Sequence, residues 1–305
     1  MAAYTPLSTE ALKHYLEAFD IGSLTQFEAI STGIENSNYR ITTQHFEQEV
    51  STILTLVEGD NQARLPFVRQ VMQHLSHYGL PVPIAKKTRS GQEQPMLLER
   101  PTLLMQRLPG THYHQMTADH CFQLGQMMAR MHTISTALPV DSTVLYDSLW
   151  MTETLTSVAH LIPDSQVDLI ASAIELYATL EVYELPRGLI HGDLFKDNIL
   201  FQDNKISGLL DFFHVSQDLW ILDLGIAIND WCSNEQGVEN QAASLALLSG
   251  YREIRPLEQA EEQALPAARK IAAARFSLTR LQTYDAGQFL KDPQEQLRKL
   301  AIFGL

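Results

Sequence analysis

The tightest constraint on this chain is a run near its middle where a carboxylate, an amide and a second carboxylate recur around a strand pair. His191-Gly192-Asp193-Leu194-Phe195-Lys196-Asp197-Asn198 leads into Ile199-Leu200-Phe201. The polar turn Gln202-Asp203-Asn204-Lys205 and the apolar stretch Ile206 to Leu210 follow, and Asp211-Phe212-Phe213 closes the run. The two apolar stretches read as short strands on either side of a turn. A strand pair returns the chain on itself, so Asp193, Asn198 and Asp211 are expected in one cleft.

The spacing His191-x-Asp193-x-x-x-x-Asn198 matches a catalytic-loop pattern of phosphoryl-transfer enzymes, and an Asp-Phe after a short strand matches their metal-binding aspartate. The chemistry accounts for the residue types. An acceptor hydroxyl needs a carboxylate within hydrogen-bond reach to orient it and take its proton, the role expected of Asp193. Asn198 and Asp211 supply oxygen ligands for Mg²⁺ on the phosphates. Alone, His-Gly-Asp reads equally as a turn, and an Asp after a strand as a helix cap. Both in order across a hairpin are far more specific.

Around this run the chain changes character. Leu7 to Phe19 reads as a helix opened by Ser8 or Thr9, and Tyr39–Thr43 and Val50–Val57 read as strands joined through residues 44–49. Pro66–Tyr78 reads as a helix, with Phe67, Val68, Val71, Met72 and Leu75 on one stripe and Gly79 as its stop. Thr102–Gln106 reads as a strand. From Thr117 the pattern is helical, over 117–132, 165–181, 222–232, 239–252 and 257–285. The composition shift near 104–112 predicts a small α/β lobe over 1–103, a hinge over 104–110 and a larger helical lobe over 111–305.

Composition excludes some functions. With a formal charge of −14, the chain is a poor match for nucleic acid or anionic lipid. Cys121 and Cys232 lack metal-ligand spacing and read as buried thiols in a reducing compartment. His112-Tyr113-His114 reads as a loop, since no further ligand completes a metal set. The first residues carry no basic region followed by an apolar run, and no apolar stretch approaches a membrane span. A cytoplasmic protein is expected.

His191 to Leu200 resembles the aminoglycoside-phosphotransferase-like kinases, whose loop carries His-Gly-Asp where protein kinases carry His-Arg-Asp. Further stretches resemble the bacterial homoserine kinase branch: Glu35-Asn36-Ser37-Asn38-Tyr39, Leu54-Thr55-Leu56-Val57-Glu58, Gly79-Leu80-Pro81-Val82-Pro83, and Asp223-Leu224 through Asn229-Asp230-Trp231-Cys232-Ser233-Asn234. The resemblance runs from about Leu7 to at least Arg280. It implies an α+β, bilobal protein-kinase-like fold, with a small N-terminal antiparallel-sheet lobe, a larger mostly helical C-terminal lobe, and ATP in the cleft between them. It further implies Mg²⁺-dependent transfer from ATP to L-homoserine, a step of threonine biosynthesis, by a monomer or homodimer.

On the nucleotide side, Gly33, Asn36, Ser37 and Asn38 take the place of a phosphate-covering loop. The hinge around Gln106 to Leu108 is expected to meet adenine through backbone groups, with Leu104 or Met105 packing nearby. Thr55 stands where many kinases carry a phosphate-binding lysine, and helix 66–78 has no Glu to pair with one. Either the fold is catalytically silent or another cation serves the phosphates. Leu-Thr-Leu at this strand in the homoserine kinase branch favours the second. Lys196 is the candidate, with a solvated loop cation as its alternative.

On the acceptor side, a zwitterion needs paired charges. Asp230, with Asn229 and Trp231, is a candidate for the ammonium, and Arg275 or Arg280 for the carboxylate. Surface ion pairs are an equal alternative for each arginine. Asp223 reads as a structural cap that supports the catalytic loop. Another alcohol, such as an aminoglycoside, choline or an amino alcohol, remains open as acceptor.

Overall fold

The computed structural model describes residues 5–30, 36–138, 144–287 and 291–303. The chain divides into two compact units, Met1–Ser76 with Val82–Leu108, and His77–Pro81 with Pro109–Leu305. One passage between them, at Leu108–Pro109, falls inside the 104–110 stretch. The short excursion His77–Pro81 into the larger unit left no mark in the sequence pattern.

The smaller unit is built on a five-stranded antiparallel sheet. Its strands are β1 (Ser23–Ile30), β2 (Ser37–His45), β3 (Gln48–Leu56), β4 (Met96–Leu97) and β5 (Arg100–Gln106), in the order β1-β2-β3-β5-β4. Helix α1 (Thr9–Leu16) is capped by Ser8, whose Oγ accepts from Ala11 N–H at 3.1 Å. It lays Leu12, Tyr15 and Leu16 against Tyr39, Ile41, Leu54, Leu56 and Leu104, which point to one face by the period-two alternation of strands. Thr55 therefore points to the opposite face.

The strands outrun their apolar centres. β2 and β3 pair from Ser37↔Leu56 to His45↔Gln48, so the hairpin loop shrinks from 44–49 to Phe46–Glu47. The added pairs are polar and exposed, so hydrophobic patterning did not show them. β1 was not read at all, because as a sheet edge it buries no residue fully and has no apolar face to betray it. Helix α2 (Asn61–His77) begins a turn earlier than expected and takes Pro66 inside it.

The larger unit is mostly helical: α3 (Ala118–Ser135), α4 (Ser148–Val158), α5 (Asp164–Glu181), α6 (Trp220–Trp231), α7 (Gln241–Ile254), α8 (Gln259–Asp285) and α9 (Pro293–Phe303). Two strand pairs interrupt it, β6 (Arg187–Ile190) with β9 (Ser216–Leu219), and β7 (Ile199–Gln202) with β8 (Lys205–Leu209). Helix α6 is buried along almost its whole length, as a helix apolar on all sides must be. Gly225 lets it lie flush on α8, because a Cβ there would come within 2.8 Å of the Ala268 carbonyl. The centre of this unit thereby supplies a rigid floor for the 191–198 loop. Helices α4 and α9 and the β6–β9 pair went unread in the sequence.

Candidate phosphoryl-transfer site

The 191–198 loop connects β6 to β7, and nearly all of it is tied from below. Asp223, fully buried in the first turn of α6, accepts from His191 N–H at 2.8 Å and from Gly192 N–H at 2.9 Å. It supports the loop from within the helix rather than capping the helix end. Gly192 sits at φ +75°, and a Cβ on it would meet the His214 carbonyl at 2.6 Å, so only glycine fits. The other carboxylate contact of Asp223 is His132 Nε2 at 3.1 Å. His132 Nδ1 lies 2.8 Å from Tyr251 Oη, which accepts from Arg255, and Arg255 is paired with Glu261. Burial disfavours the Asp223 carboxylate, but His132, His191 and the Gly192 N–H hold its pKa below the ordinary value.

His191 is locked by both ring nitrogens. Its Nε2 donates to the Leu210 carbonyl at 2.9 Å, and its Nδ1 accepts from Asp193 N–H at 3.3 Å. Complete burial lowers its pKa, so the ring is neutral in the tautomer these partners require. It joins the loop to the segment carrying Asp211. The Leu210 N–H also donates to the Asn198 carbonyl at 2.9 Å.

These ties join Asn198 to Asp193 and place Asp211 one residue beyond the Leu210–Asn198 bond. Asn198 Nδ2 donates to the Asp193 carbonyl at 2.7 Å and to Asp193 Oδ2 at 2.8 Å. That leaves Asp193 Oδ1 and Asn198 Oδ1 without a hydrogen bond among the described residues. Asp211 adopts φ +58°, a left-handed backbone that costs a non-glycine residue roughly 1 kcal/mol or more. One amide oxygen and one carboxylate form a hard-oxygen donor set suited to a divalent ion completed by phosphate oxygens and water. Among the described residues, no group of three or more His, Cys, Asp or Glu side chains forms a self-sufficient metal cage.

The neighbouring polar groups are largely committed to the loop. Asp230 Oδ2 accepts from Lys196 N–H at 2.8 Å, and burial raises its pKa against the pull of Lys196 and Lys299. Trp231 Nε1 donates to the Leu194 carbonyl at 3.0 Å. Asn229 bonds the Arg269 carbonyl at 2.7 Å and Arg269 Nε at 3.1 Å. Arg275 donates to the Gly192 carbonyl at 2.7 Å, lies 3.2 Å from His214 Nδ1, and is sandwiched between the Tyr146 and Phe276 rings. Arg280 pairs with Glu295 at 2.8 Å and donates to the Asp292 carbonyl at 2.9 Å. The half-buried Lys196 has no ion-pair partner among the described residues. Next to it, Asp197 pairs with Lys291 at 2.9 Å. Tyr113 stacks on Phe201, and His112 Nδ1 lies 3.1 Å from the Ile199 carbonyl.

In the smaller unit, Asn38 Oδ1 accepts from Thr55 Oγ1 at 2.6 Å. Asn36 Oδ1 accepts from Glu58 N–H at 3.0 Å, and Ser37 Oγ donates to Glu58 Oε1 at 2.8 Å. Arg100 and Thr5 complete the ring around Glu58. Burial opposes ionisation of Glu58, but Thr5, Arg100 and Ser37 lower its pKa overall. Gln106 N–H donates to the Ile84 carbonyl at 3.1 Å and Leu108 is half-buried. Gly33 lies outside the described residues. Sequence reasoning missed Glu58 and Arg100, 42 positions apart, and the His132–Tyr251–Arg255 chain. These contacts exist only once distant elements meet, and no local pattern announces them.

A strand pair carrying an Asp/Asn loop and an Asp in left-handed backbone, set on a buried helix, is an arrangement suited to phosphoryl transfer. The sequence profile of the phosphotransferase enzyme family matches residues 26–257, and the chain belongs to that family. It is 35% identical over 307 residues to a homoserine kinase of Pseudomonas aeruginosa (strain LESB58), covering 99% of this chain and 96% of that one. It is 36% identical over 315 residues to a homoserine kinase of Gluconobacter oxydans (strain 621H), covering 99% and 98%. Among solved structures, an amicoumacin kinase in complex with AMP-PNP, Ca²⁺ and Ami superposes with a TM-score of 0.75 at 18% identity, covering 97% and 92% of the two chains. A microcompartment-associated aminopropanol kinase gives 0.73 at 18% identity, covering 97% of each chain. These two likenesses bear on the fold. No helix among the described residues is long and apolar enough to cross a membrane.

Proposed function

We propose that this chain transfers the γ-phosphoryl group of ATP to the hydroxyl of L-homoserine, giving O-phospho-L-homoserine and ADP for threonine biosynthesis in the cytoplasm. The observation that carries the chemistry is the Asp193–Asn198 geometry. Asn198 fixes Asp193 through Oδ2, and Oδ1 is left to accept the acceptor hydroxyl. The near full-length identity to homoserine kinases supports the acceptor.

In this reading Asp193 orients the hydroxyl and receives its proton as the new O–P bond forms in line with the breaking bond to the β,γ-bridging oxygen. The leaving electron pair stays on ADP. Asn198 and Asp211 would hold Mg²⁺, which would offset the charge on the phosphates. Lys196, fixed through its backbone by Asp230, places an unpaired ammonium next to the transferring group and stands in for the strand lysine that Thr55 replaces. Asn36, Ser37, Asn38 and Thr55, with Gly33, cover the phosphates, and Gln106 and Leu108 meet adenine. Asn229, Asp230, Trp231, Arg275 and Arg280 form the acceptor wall, which they shape through their internal bonds.

The test is Mg²⁺-dependent ADP release with L-homoserine, L-serine, choline, 3-aminopropan-1-ol and an aminoglycoside as acceptors. L-Homoserine is expected to have the highest kcat/KM. A better alcohol would move the assignment to that acceptor, and no turnover on any would leave a silent nucleotide-binding fold.

A further inference from the structure

The acceptor wall poses a problem. A zwitterion must have its carboxylate and its ammonium read, yet Arg275 and Arg280 are 5% and 9% exposed and already hold internal partners. The Asp230 carboxylate is spent on Lys196 N–H. Opening any of these contacts strands a buried charge, which costs several kcal/mol. A second opposite-charge pair beside the loop is different. Lys291 Nζ and Asp197 Oδ2 are 2.9 Å apart, with side chains 42% and 60% exposed. An exposed pair is worth about 1 kcal/mol or less, so a ligand bearing both charges exchanges with it at little cost.

Its position is equally specific. Asp197 lies on the same tight turn as Asn198, in the segment Lys196–Asn198 that follows the base Asp193. The Lys291 ammonium stands 5.2 Å from the Phe195 ring centre, and Phe195 packs edge-on to Phe276 of α8. Lys291 is thereby moored to the loop, although 94 positions separate it from Asp197. Asp197 is the chain neighbour of Asn198, whose Nδ2 donates to the Asp193 carboxylate at 2.8 Å. In L-homoserine the charged groups sit only two carbons from the hydroxyl carbon. Groups that read them must therefore adjoin the base.

We propose that Lys291 and Asp197 are the residues that select a zwitterionic acceptor, Lys291 taking its carboxylate and Asp197 its ammonium, with the pair closed on itself when no acceptor is bound. This rests on the kinase reading above and deepens it.

The test is acceptor kinetics of the full chain for wild type, Lys291→Met, Lys291→Arg and Asp197→Asn. The acceptors are L-homoserine, 3-aminopropan-1-ol, which lacks the carboxylate, and 4-hydroxybutanoate, which lacks the ammonium. The truncated acceptors are also assayed as competitive inhibitors. Lys291→Met is expected to raise the L-homoserine KM about thirtyfold, the scale of one charge-assisted contact. It should leave the ATP KM and the constants for 3-aminopropan-1-ol unchanged. Lys291→Arg should keep the L-homoserine KM within about threefold by retaining the charge. Asp197→Asn should weaken L-homoserine while sparing 4-hydroxybutanoate. An unchanged L-homoserine KM in Lys291→Met, or equal losses on all three acceptors, overturns the assignment alone. Wild type that releases ADP with none of them overturns the L-homoserine reading, and this assignment with it.

Discussion

The catalytic loop and the polar network of the smaller unit solve similar problems with different materials. Around the loop, the buried Asp223, Arg275 and Arg280 each hold internal partners. Asp223 is fully covered, yet it takes two backbone N–H groups and a histidine whose own partners continue to Arg255 and Glu261. In the smaller unit the pair facing across the strands is neutral, Asn38 with Thr55, and the ionic group Glu58–Arg100 is partly open to solvent. Under the proposed function, the difference separates the region that would do the chemistry from the one that would cover the phosphates. A loop that must hold a base to a fraction of an ångström needs a rigid support. A segment that covers phosphates by hydrogen bonding tolerates looser, uncharged groups.

Three substitutions would break or sharpen that contrast. Asp193→Asn keeps the shape and the Asn198 contact but removes the proton acceptor. It should lower kcat roughly a thousandfold while leaving the ATP KM within a factor of two or so. Retained turnover in steady-state assays would take Asp193 out of the base role.

Asp223→Asn should cost about 3 kcal/mol in denaturant unfolding, because an amide cannot accept from both backbone N–H groups and also satisfy His132. Its kcat should fall further than its ATP KM rises, since the loop is displaced and the nucleotide contacts are not. A stability loss below about 0.5 kcal/mol would show that the loop holds its shape without this clamp.

Thr55→Val should have the smallest effect. It removes one hydroxyl bond to Asn38, worth about 1 kcal/mol, and should raise the ATP KM a few-fold with kcat little changed. A loss as large as that of Asp193→Asn would mean that the smaller unit's network positions the reacting phosphate and does more than cover it.

Much of this architecture was legible because periodic burial writes itself into sequence. Helices expected over 222–232, 239–252 and 257–285 are found at Trp220–Trp231, Gln241–Ile254 and Gln259–Asp285, with ends displaced by two residues at most. Each of these runs along or into the core of the larger unit. The strands flanking the 202–205 turn were equally plain. What escaped lacked that imprint. β1 is an exposed edge, β6 and β9 are four residues each, and the end of the β2–β3 hairpin is held by backbone bonds between polar residues.

The same division runs through the site. Sequence alone determined that the loop bearing Asp193 and Asn198 and the segment bearing Asp211 would flank one hairpin, because local spacing and strand geometry leave the chain little choice. Tertiary structure decided which neighbours are occupied. Asp230, Trp231 and Arg275 are turned to the loop backbone, whereas Asn229 is held by Arg269 and Arg280 by Glu295 and the Asp292 carbonyl. The exposed Lys291–Asp197 pair joins residues with no shared motif. Partnership between distant polar groups is settled by how helices pack, and a charge in a sequence does not say whether it will be buried and answered or left in water to meet a ligand.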